Sequence, residues 1–147
     1  MTTSKAGLDI IKEFEGFRSK PYLDIGGVPT IGYGTTRHGN RDVQMDDIAM
    51  SKKVASNILE NQVNSNYAKE VSHAIQVDVT QNQFDAMVSF AYNVGIYGFK
   101  KSTLLKKLNH GKKIKASKEF GKWIHVNGKV SKGLKIRRKK EAELFLA

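Results

Sequence analysis

A glutamate, an aspartate and a threonine stand close together near the start of the chain, at Glu15, Asp24 and Thr30. Glu15 comes where a helical pattern stops, and the other two lie in a glycine-rich stretch typical of a short β-hairpin. Two carboxylates held in different surroundings can serve one as acid and the other as base. Hydrolysis of a glycosidic bond requires this combination. We therefore predict a site for that chemistry within residues 15–34.

Each of these residues also has an ordinary structural interpretation. A helical glutamate is most often a solvated residue of the polar face. Asp24 could be a turn residue that accepts backbone N–H bonds, and Thr30 could be an ordinary strand threonine. The glycines favour a site, because Gly32 and Gly34 in one strand indicate close approach of the backbone to another group. The combination is informative, whereas each residue alone is not.

The same stretch resembles the active-site segment of phage-type lysozymes, the endolysins of tailed bacteriophages. The resemblance rests on three catalytic positions in register with a Pro-Tyr pair and several glycines. It extends to the end of the chain through further matching residues. The matching positions are Glu15, Pro21-Tyr22, Asp24, Gly26-Gly27, Thr30-Ile-Gly-Tyr-Gly34, Asn93-Val-Gly95, Gly98-Phe99, Trp123, Gly133-Leu134, Arg137-Arg138 and Glu141.

The resemblance implies a muramidase that hydrolyses the β-1,4 bond between N-acetylmuramic acid and N-acetylglucosamine in peptidoglycan, for host cell lysis and phage release. It implies Glu15 as general acid, with Asp24 and Thr30 acting on the attacking water. An inverting outcome is expected, and carboxylates ~6.5–9.5 Å apart would favour it over retention at ~5–5.5 Å. No cofactor and no metal are expected. Carried over by position, the sugar contacts are Thr36, Tyr92, Ser102 and Ser117.

Three other functions compete with this interpretation. A nucleic-acid-binding module would explain the basic residues but would leave Glu15 and Asp24 unexplained. A catalytically dead wall-binding protein could use the same fold, although the intact carboxylates argue against it. A lytic transglycosylase would cleave the same bond without water as acceptor. The Asp24–Thr30 pair favours hydrolysis, since a transglycosylase can work with one carboxylate.

The charge of the chain is concentrated in its last third. Residues 1–99 hold 9 Lys/Arg and 11 Asp/Glu, whereas residues 100–147 hold 16 and 3. A basic segment of this kind indicates an anionic partner, which could be nucleic acid, a cell-wall polymer or lipid headgroups. Charge sign alone does not choose among them. With the resemblance we expect peptidoglycan as substrate and no nucleic acid.

The composition suits a globular protein of one domain, residues 1–147, and the likeness suggests a monomer. The chain has no cysteine, so its fold depends on packing alone. No signal peptide and no run of ~20 apolar residues is found, so no stable membrane insertion is expected. We predict a protein held in the host cytoplasm until a phage holin releases it to the cell wall in the periplasm.

The fold class expected is α+β and lysozyme-like, mainly helical, with a small β-hairpin lobe, a larger helical lobe, a long helix joining them and the cleft between. Apolar spacing, turn residues and a capping-box sequence at Thr80 define the elements. The predicted elements are a helix at 4–15, a hairpin at 20–35, a loop at 37–43, a helix at 46–71, a helix at 81–94, a turn at Gly98-Phe99, a helix around Leu104–Leu108, a helix at 114–124, a tight turn at Asn127-Gly128 and a helix at 134–146.

Overall fold

The computed structural model describes all 147 residues, which form helices and three short antiparallel strand pairs. The chain divides into two compact units, one made of Met1–Phe14 with Val63–Ala147 and one made of Glu15–Gln62. No helix combines the length and the apolar character that crossing a membrane would need.

The first helix and the first hairpin lie where the sequence predicts them. Helix α1 spans Lys5–Glu15 and buries Leu8 and Ile11. Strand β1, Arg18–Leu23, pairs antiparallel with β2, Pro29–Gly32, and their register places Tyr22 opposite Thr30. The turn between the strands contains Gly27 at φ +78°, a backbone conformation that glycine adopts without strain.

The predicted loop at 37–43 is instead a second small hairpin. Strand β3, Arg37–His38, pairs with β4, Arg41–Asp42. The Arg37 side chain lies across the turn, where its Nη2 donates to the carbonyl of Asn40 at 3.0 Å and its Nε lies 3.6 Å from Asp42 Oδ1. These side-chain contacts close the hairpin, and no alternation of apolar residues reveals it in the sequence.

The long central helix begins later than predicted. Asp47 does not lie in its first turn, because its Oδ2 accepts the N–H of Gln44 at 2.9 Å and closes a separate turn. Ser51 begins the helix instead, with its Oγ accepting the Val54 N–H at 3.2 Å. The helical stretch then comprises α2, Lys52–Gln62, a π-helical segment, Val63–Ala68, and α3, Lys69–Ala74.

The larger unit is organised around α4, Gln81–Val94, whose eight residues from Phe84 to Ala91 are all buried. The capping box predicted at Thr80 is confirmed in both directions: Thr80 Oγ1 accepts the Gln83 N–H, and the Gln83 side chain accepts the Thr80 N–H. The helical elements that follow α4 in this unit are α5, Ile96–Lys101, α6, Thr103–Asn109, α7, Lys113–Ser117, a 3-10 turn, Phe120–Lys122, and α8, Lys132–Leu146.

Three predictions for the larger unit are tested by these bounds. Gly98-Phe99 is not a turn but lies inside α5. The helix predicted at 114–124 stops at Ser117, and a 3-10 turn follows. The tight turn at Asn127-Gly128 is confirmed, because both residues have positive φ, +51° and +78°, between strands β5, His125–Val126, and β6, Lys129–Val130.

Phe90 lies at the centre of the aromatic core of the larger unit. Its ring meets those of Phe99, Phe120 and Trp123 edge-on, with centroids 6.4, 5.4 and 5.4 Å away. Phe120 in turn contacts Phe145 of α8 at 5.6 Å. Burying each aromatic side chain contributes about 1.5–3 kcal/mol, and edge-on pairing adds to it. This packing holds α4, α5 and α8 together.

Candidate active site

Glu15 is the last residue of α1, and its position is set by both sides of that helix end. Leu8 and Ile11 anchor the helix by burial, with 6% and 0% of their surfaces exposed. Gly16 follows with φ +72°, the left-handed conformation that commonly ends helices. The helix therefore stops directly after Glu15, which is half-buried. A general acid needs a fixed position of this kind.

The glycine-rich strand comes against the Glu15 carboxylate at Gly34. The chain folds back between Ile31 and Thr35, whose N–H and C=O groups bond each other at 2.8 and 2.9 Å. Gly34 has φ +79°, and a β-carbon added there would lie 3.0 Å from Glu15 Oε2. Position 34 thus requires glycine for two reasons, the positive backbone angle and the space beside the Glu15 carboxylate.

Asp24 and Thr30 are connected through a single residue, Val28. The Val28 N–H donates to Asp24 Oδ1 at 2.9 Å. The Val28 carbonyl accepts the Thr30 hydroxyl at 2.8 Å and the Asp24 N–H at 3.0 Å. Asp24 is exposed and its Oδ2 has no hydrogen-bond partner in the protein, whereas Thr30 is buried. The two side chains that were predicted to act on one water are therefore held by one short segment of backbone.

This geometry leaves each group capable of the predicted chemistry. Asp24 also fits its ordinary interpretation, since it accepts a backbone N–H in a turn, but only one of its two oxygens is used. The other oxygen can accept a proton from water or approach a sugar carbon. The Thr30 hydroxyl hydrogen is donated to a carbonyl, so its oxygen lone pairs are what remain to accept a hydrogen from water.

The four predicted sugar contacts fall into two groups. Thr36, in the smaller unit, has an exposed side chain. Its backbone carbonyl accepts the Val43 N–H at 2.9 Å. Tyr92 is half-buried near the end of α4, and its ring lies 4.8 Å from that of Tyr67 in the π-helical segment. Both side chains keep surface that a sugar could meet.

Ser102 and Ser117 are buried, with 4% and 5% of their surfaces exposed, and both bond to their own backbone turns. Ser102 Oγ donates to the Phe99 carbonyl at 2.7 Å and accepts the Leu105 N–H at the start of α6. Ser117 Oγ donates to the Ile114 carbonyl at 2.6 Å. These bonds account for both serines as helix-end residues, and their contact with a sugar stays a prediction.

A buried group of charges on α8 is the main feature that the sequence did not reveal. Arg137, Arg138 and Glu141 are each 3% exposed or less. Glu141 Oε2 lies 3.2 Å from Arg137 Nε, and its Oε1 lies 3.0 Å from Arg138 Nη1. Ser89 of α4 donates its hydroxyl to Glu141 at 2.5 Å. Burial raises the pKa of the Glu141 carboxyl and lowers the pKa of Arg138 to about 10.

This charged group reaches the surface at Asn93. Arg138 Nη2 donates to the Asn93 side-chain oxygen, which fixes the orientation of that amide near the end of α4. Asn93 lines an open pocket of about 380 Å³ together with Trp123 and His125. Trp123 packs on Phe90 and also keeps 36% of its surface exposed. In the sequence, the only signal for the buried charged group is the spacing of Arg138 and Glu141, which places both on one side of the helix.

A mainly helical fold with small hairpins, a glutamate ending the first helix and an Asp–Thr pair on the first hairpin are the features expected of the phage-type lysozyme class. The Phage lysozyme family model matches residues 12–141, and the chain belongs to this family. The predicted family and the lysozyme-like α+β fold are confirmed.

Comparison with individual proteins agrees with this membership. The endolysin of Bacillus phage B103 is 46% identical over 99% of this chain and 54% of that relative. The chain thus spans about half the length of the Bacillus phage relatives it matches. The solved endolysin from Escherichia coli O157:H7 phage FAHEc1 is 41% identical, with a TM-score of 0.91 over 99% of this chain and 94% of that one. The muramidase domain of SpmX from Asticaccaulis excentricus is 33% identical, with a TM-score of 0.86 over 99% of this chain and 98% of that one.

Proposed function

We propose that residues 1–147 form one catalytic domain of an endolysin, a muramidase that hydrolyses the β-1,4 bond between N-acetylmuramic acid and N-acetylglucosamine in peptidoglycan. The observation that carries the proposal lies in the unit Glu15–Gln62. There the carboxylate of Glu15, at the end of a helix, lies against the backbone of Gly34, which has no side chain. In the same unit, Asp24 and Thr30 are both hydrogen-bonded to the backbone of Val28. The muramidase and endolysin likenesses support the same bond and substrate.

Glu15 acts in this proposal as the general acid. The oxygen that leaves when a glycosidic bond breaks is too basic to depart without a proton, so a carboxylic acid must supply one. A half-buried position at a helix end holds the carboxyl in place, and the absence of a side chain at Gly34 leaves space beside it. The proton passes from Glu15 to the leaving oxygen as the bond to the sugar carbon lengthens.

Asp24 and Thr30 act in this proposal on the water that replaces the leaving group. Asp24 Oδ2 accepts a proton from the water, and Thr30 Oγ1 accepts a hydrogen bond from the other hydrogen, which stays on the attacking oxygen and so orients it. Because both side chains are bonded to Val28, they keep their relative positions while the water is replaced. Attack by a water on the face opposite to the leaving group gives inversion at the sugar carbon.

Among the four predicted sugar contacts, we assign sugar binding first to the two side chains that keep accessible surface. Thr36 and Tyr92 retain surface that a glycan strand could contact. Ser102 and Ser117 keep their place in the proposal as the resemblance implies, although their hydroxyls are bonded to backbone. In the cell we propose release by a holin from the host cytoplasm, action on the wall in the periplasm, and a monomer that binds no nucleic acid.

The test of the proposal compares Glu15→Gln with Glu13→Gln on purified peptidoglycan. Glutamine keeps the size of Glu15 but cannot act as an acid, so we expect turnover to fall by roughly 10²–10⁴-fold. Glu13 is a matched control on the same helix. Its carboxylate is 51% exposed and pairs with Lys140 at 2.6 Å, and such a surface pair contributes only about 0–1 kcal/mol.

The readout is release of soluble muropeptides, with circular dichroism to verify that both variants fold. Loss of activity in Glu15→Gln with retention in Glu13→Gln supports the assignment. A folded Glu15→Gln variant that stays active, whether or not Glu13→Gln is inactive beside it, would exclude Glu15 as the acid.

A further inference from the structure

A second open pocket, of about 620 Å³, lies on the larger unit and has no part in the proposed chemistry. It is formed where the end of α3 meets α5 and α6. A volume of this size is in the range of small-ligand sites. Ser102 is one of its walls, but the Ser102 hydroxyl is bonded to backbone. The lining residues are His73, Ala74, Gln76, Lys100, Lys101, Ser102, Thr103, Leu105, Lys106 and Asn109.

The walls of this pocket are held together by specific bonds. The Asn109 amide joins α6 to the segment after α3, since its Nδ2 donates to the Ala74 carbonyl at 3.0 Å and its Oδ1 accepts the Gln76 N–H at 2.9 Å. Lys100 of α5 pairs with Glu70 of α3 at 2.7 Å. These bonds span three elements, so the pocket is formed before any ligand arrives.

The pocket carries positive charge that the protein does not neutralise. No aspartate or glutamate lines it. Lys101 and Lys106 are exposed and have no carboxylate partner, although the Lys101 ammonium lies 4.3 Å over the Tyr97 ring. Lys107 and Lys122, in contrast, are both paired with one carboxylate, that of Glu119. Two ammonium groups at one preformed pocket indicate an anionic ligand.

The remaining lining residues restrict the kind of anion. No Phe, Tyr or Trp lines the pocket, and His73 is its one aromatic ring, so it lacks the series of rings on which successive nucleic-acid bases stack. Leu105, its one large apolar side chain, is buried, so the pocket presents no large apolar group for insertion into a membrane. Gln76 and Thr103 are polar and exposed, and their side chains can bond hydroxyl groups.

We propose that this pocket binds a phosphodiester-linked polyol or sugar polymer of the bacterial envelope. Lys101 and Lys106 contact its phosphates, and Gln76 and Thr103 contact its hydroxyls. Lysine is a common phosphate-binding residue because its ammonium acts as a compact point charge. The inference rests on the proposed function, since an enzyme that cleaves peptidoglycan meets such polymers in the wall. Binding there would hold the enzyme near its substrate without taking part in the chemistry.

The test uses a soluble glycerol-phosphate oligomer, the full chain, and titration calorimetry at several salt concentrations. The Lys101→Gln/Lys106→Gln double variant is compared with Lys112→Gln/Lys115→Gln, a pair of exposed lysines outside the pocket that removes the same charge. We expect the pocket variant to bind about tenfold more weakly at low salt. We also expect the negative slope of log affinity against log salt to become shallower by about two. We expect the control to lose less than about twofold.

Failure of this inference is distinguishable from failure of the proposed function. Sacculi stripped of phosphate polymer should be digested equally by the wild-type protein and both double variants, and no digestion by the wild type would reject the proposed function instead. Equal weakening in the control, no binding of the oligomer, or binding of poly-glutamate as tight as that of the oligomer would overturn the pocket. Tighter binding of duplex DNA or of anionic phospholipid vesicles through the same lysines would also overturn it.

Discussion

At the scale of single residues, the hydrogen bond from the Val28 N–H to Asp24 means that the charge of Asp24 can be removed without breaking the turn. Asparagine at position 24 can still accept the Val28 N–H through its side-chain oxygen, so the turn should persist. It cannot accept a proton from water as a carboxylate does. We expect Asp24→Asn to lower turnover by roughly 10²–10⁴-fold with the melting temperature nearly unchanged.

Thr30→Ala is the companion measurement. It removes the oxygen that orients the water but leaves the Asp24 charge, so its loss of turnover should be smaller than that of Asp24→Asn. Rates of muropeptide release and thermal unfolding measured for both variants decide the matter. If Thr30→Ala were the more damaging at equal stability, the division of roles between the two side chains would be wrong.

Gly34→Ala tests the contact between the glycine strand and the Glu15 carboxylate. The new methyl group would lie 3.0 Å from Glu15 Oε2 and would also strain a backbone at φ +79°. Gly39→Ala is the matched control, because Gly39 has φ +59° and no atom within 4 Å of an added β-carbon. Each variant should lose about 1 kcal/mol of unfolding free energy or more from strain.

Only Gly34→Ala should also lose activity, because only it displaces the Glu15 carboxylate, the proposed acid. Urea unfolding and muropeptide release, measured on both proteins, separate the two effects. Equal activity in the two variants would mean that the space at Gly34 has no catalytic importance.

Candidate catalytic residues could be proposed from sequence because chemistry restricts their types and the glycines restrict their surroundings. Glu15, Asp24 and Thr30 were proposed in this way, and their catalytic roles stay predictions. The shared bond to Val28 could not be, since hydrogen-bond partners in a turn depend on its three-dimensional path. Ser102 and Ser117 illustrate the converse. A position carried over from relatives does not reveal that a hydroxyl is buried and already bonded.

At the scale of elements, Glu119 joins α6 to the 3-10 turn by ion pairs with Lys107 and Lys122, at 3.0 and 2.7 Å. The hydrogen bond from Lys122, helped by Lys107, holds the pKa of the Glu119 carboxyl below its ordinary value despite burial. The unfolded chain therefore binds more protons than the folded one in the acid range. This stabilisation is present above the unfolded pKa and is lost as pH falls through the folded pKa.

Glu119→Gln should consequently cost about 1 kcal/mol of unfolding free energy near pH 7, a modest value because both lysines are partly exposed. The cost should shrink as the pH falls below the ordinary pKa of a glutamate carboxyl and through the lower pKa of the folded state. Urea unfolding at a series of pH values measures it. Glu143→Gln, at an exposed position of α8, is the control and should show little change. A cost for Glu119→Gln that does not vary with pH would show that packing, not charge, is responsible.

Elements with a strong local signal were predicted correctly. The capping box at Thr80 and the turn at Asn127-Gly128 each follow from a few adjacent residues and are confirmed. The start of the helix at 46 was wrong because Asp46 and Asp47 look like first-turn residues, whereas Asp47 bonds to Gln44 and Arg41. Competition of this kind between a side chain and the helix cannot be resolved from spacing alone.

At the scale of the whole molecule, the basic last third of the chain is expected to provide attraction rather than chemistry. Most of its lysines are exposed, and exposed charges are screened beyond about 8 Å at physiological ionic strength. Buried Arg137 and Arg138 differ, since they pair with Glu141 inside the larger unit. Pattern and composition predicted the charge of this region, but only the fold separates structural cations from those open to a partner.

The central claim, hydrolysis of the muramic acid bond by water, is tested most directly by digesting purified sacculi in ¹⁸O-labelled water. The products are reduced with borohydride at once and analysed by mass spectrometry, with unlabelled product incubated in labelled water as the control for exchange. We predict muropeptides ending in reducible N-acetylmuramic acid that carry one ¹⁸O, and none from Glu15→Gln. Products ending in 1,6-anhydro-muramic acid without label would mean transglycosylation, and labelled N-acetylglucosamine ends would mean a different bond; either result would contradict the proposal.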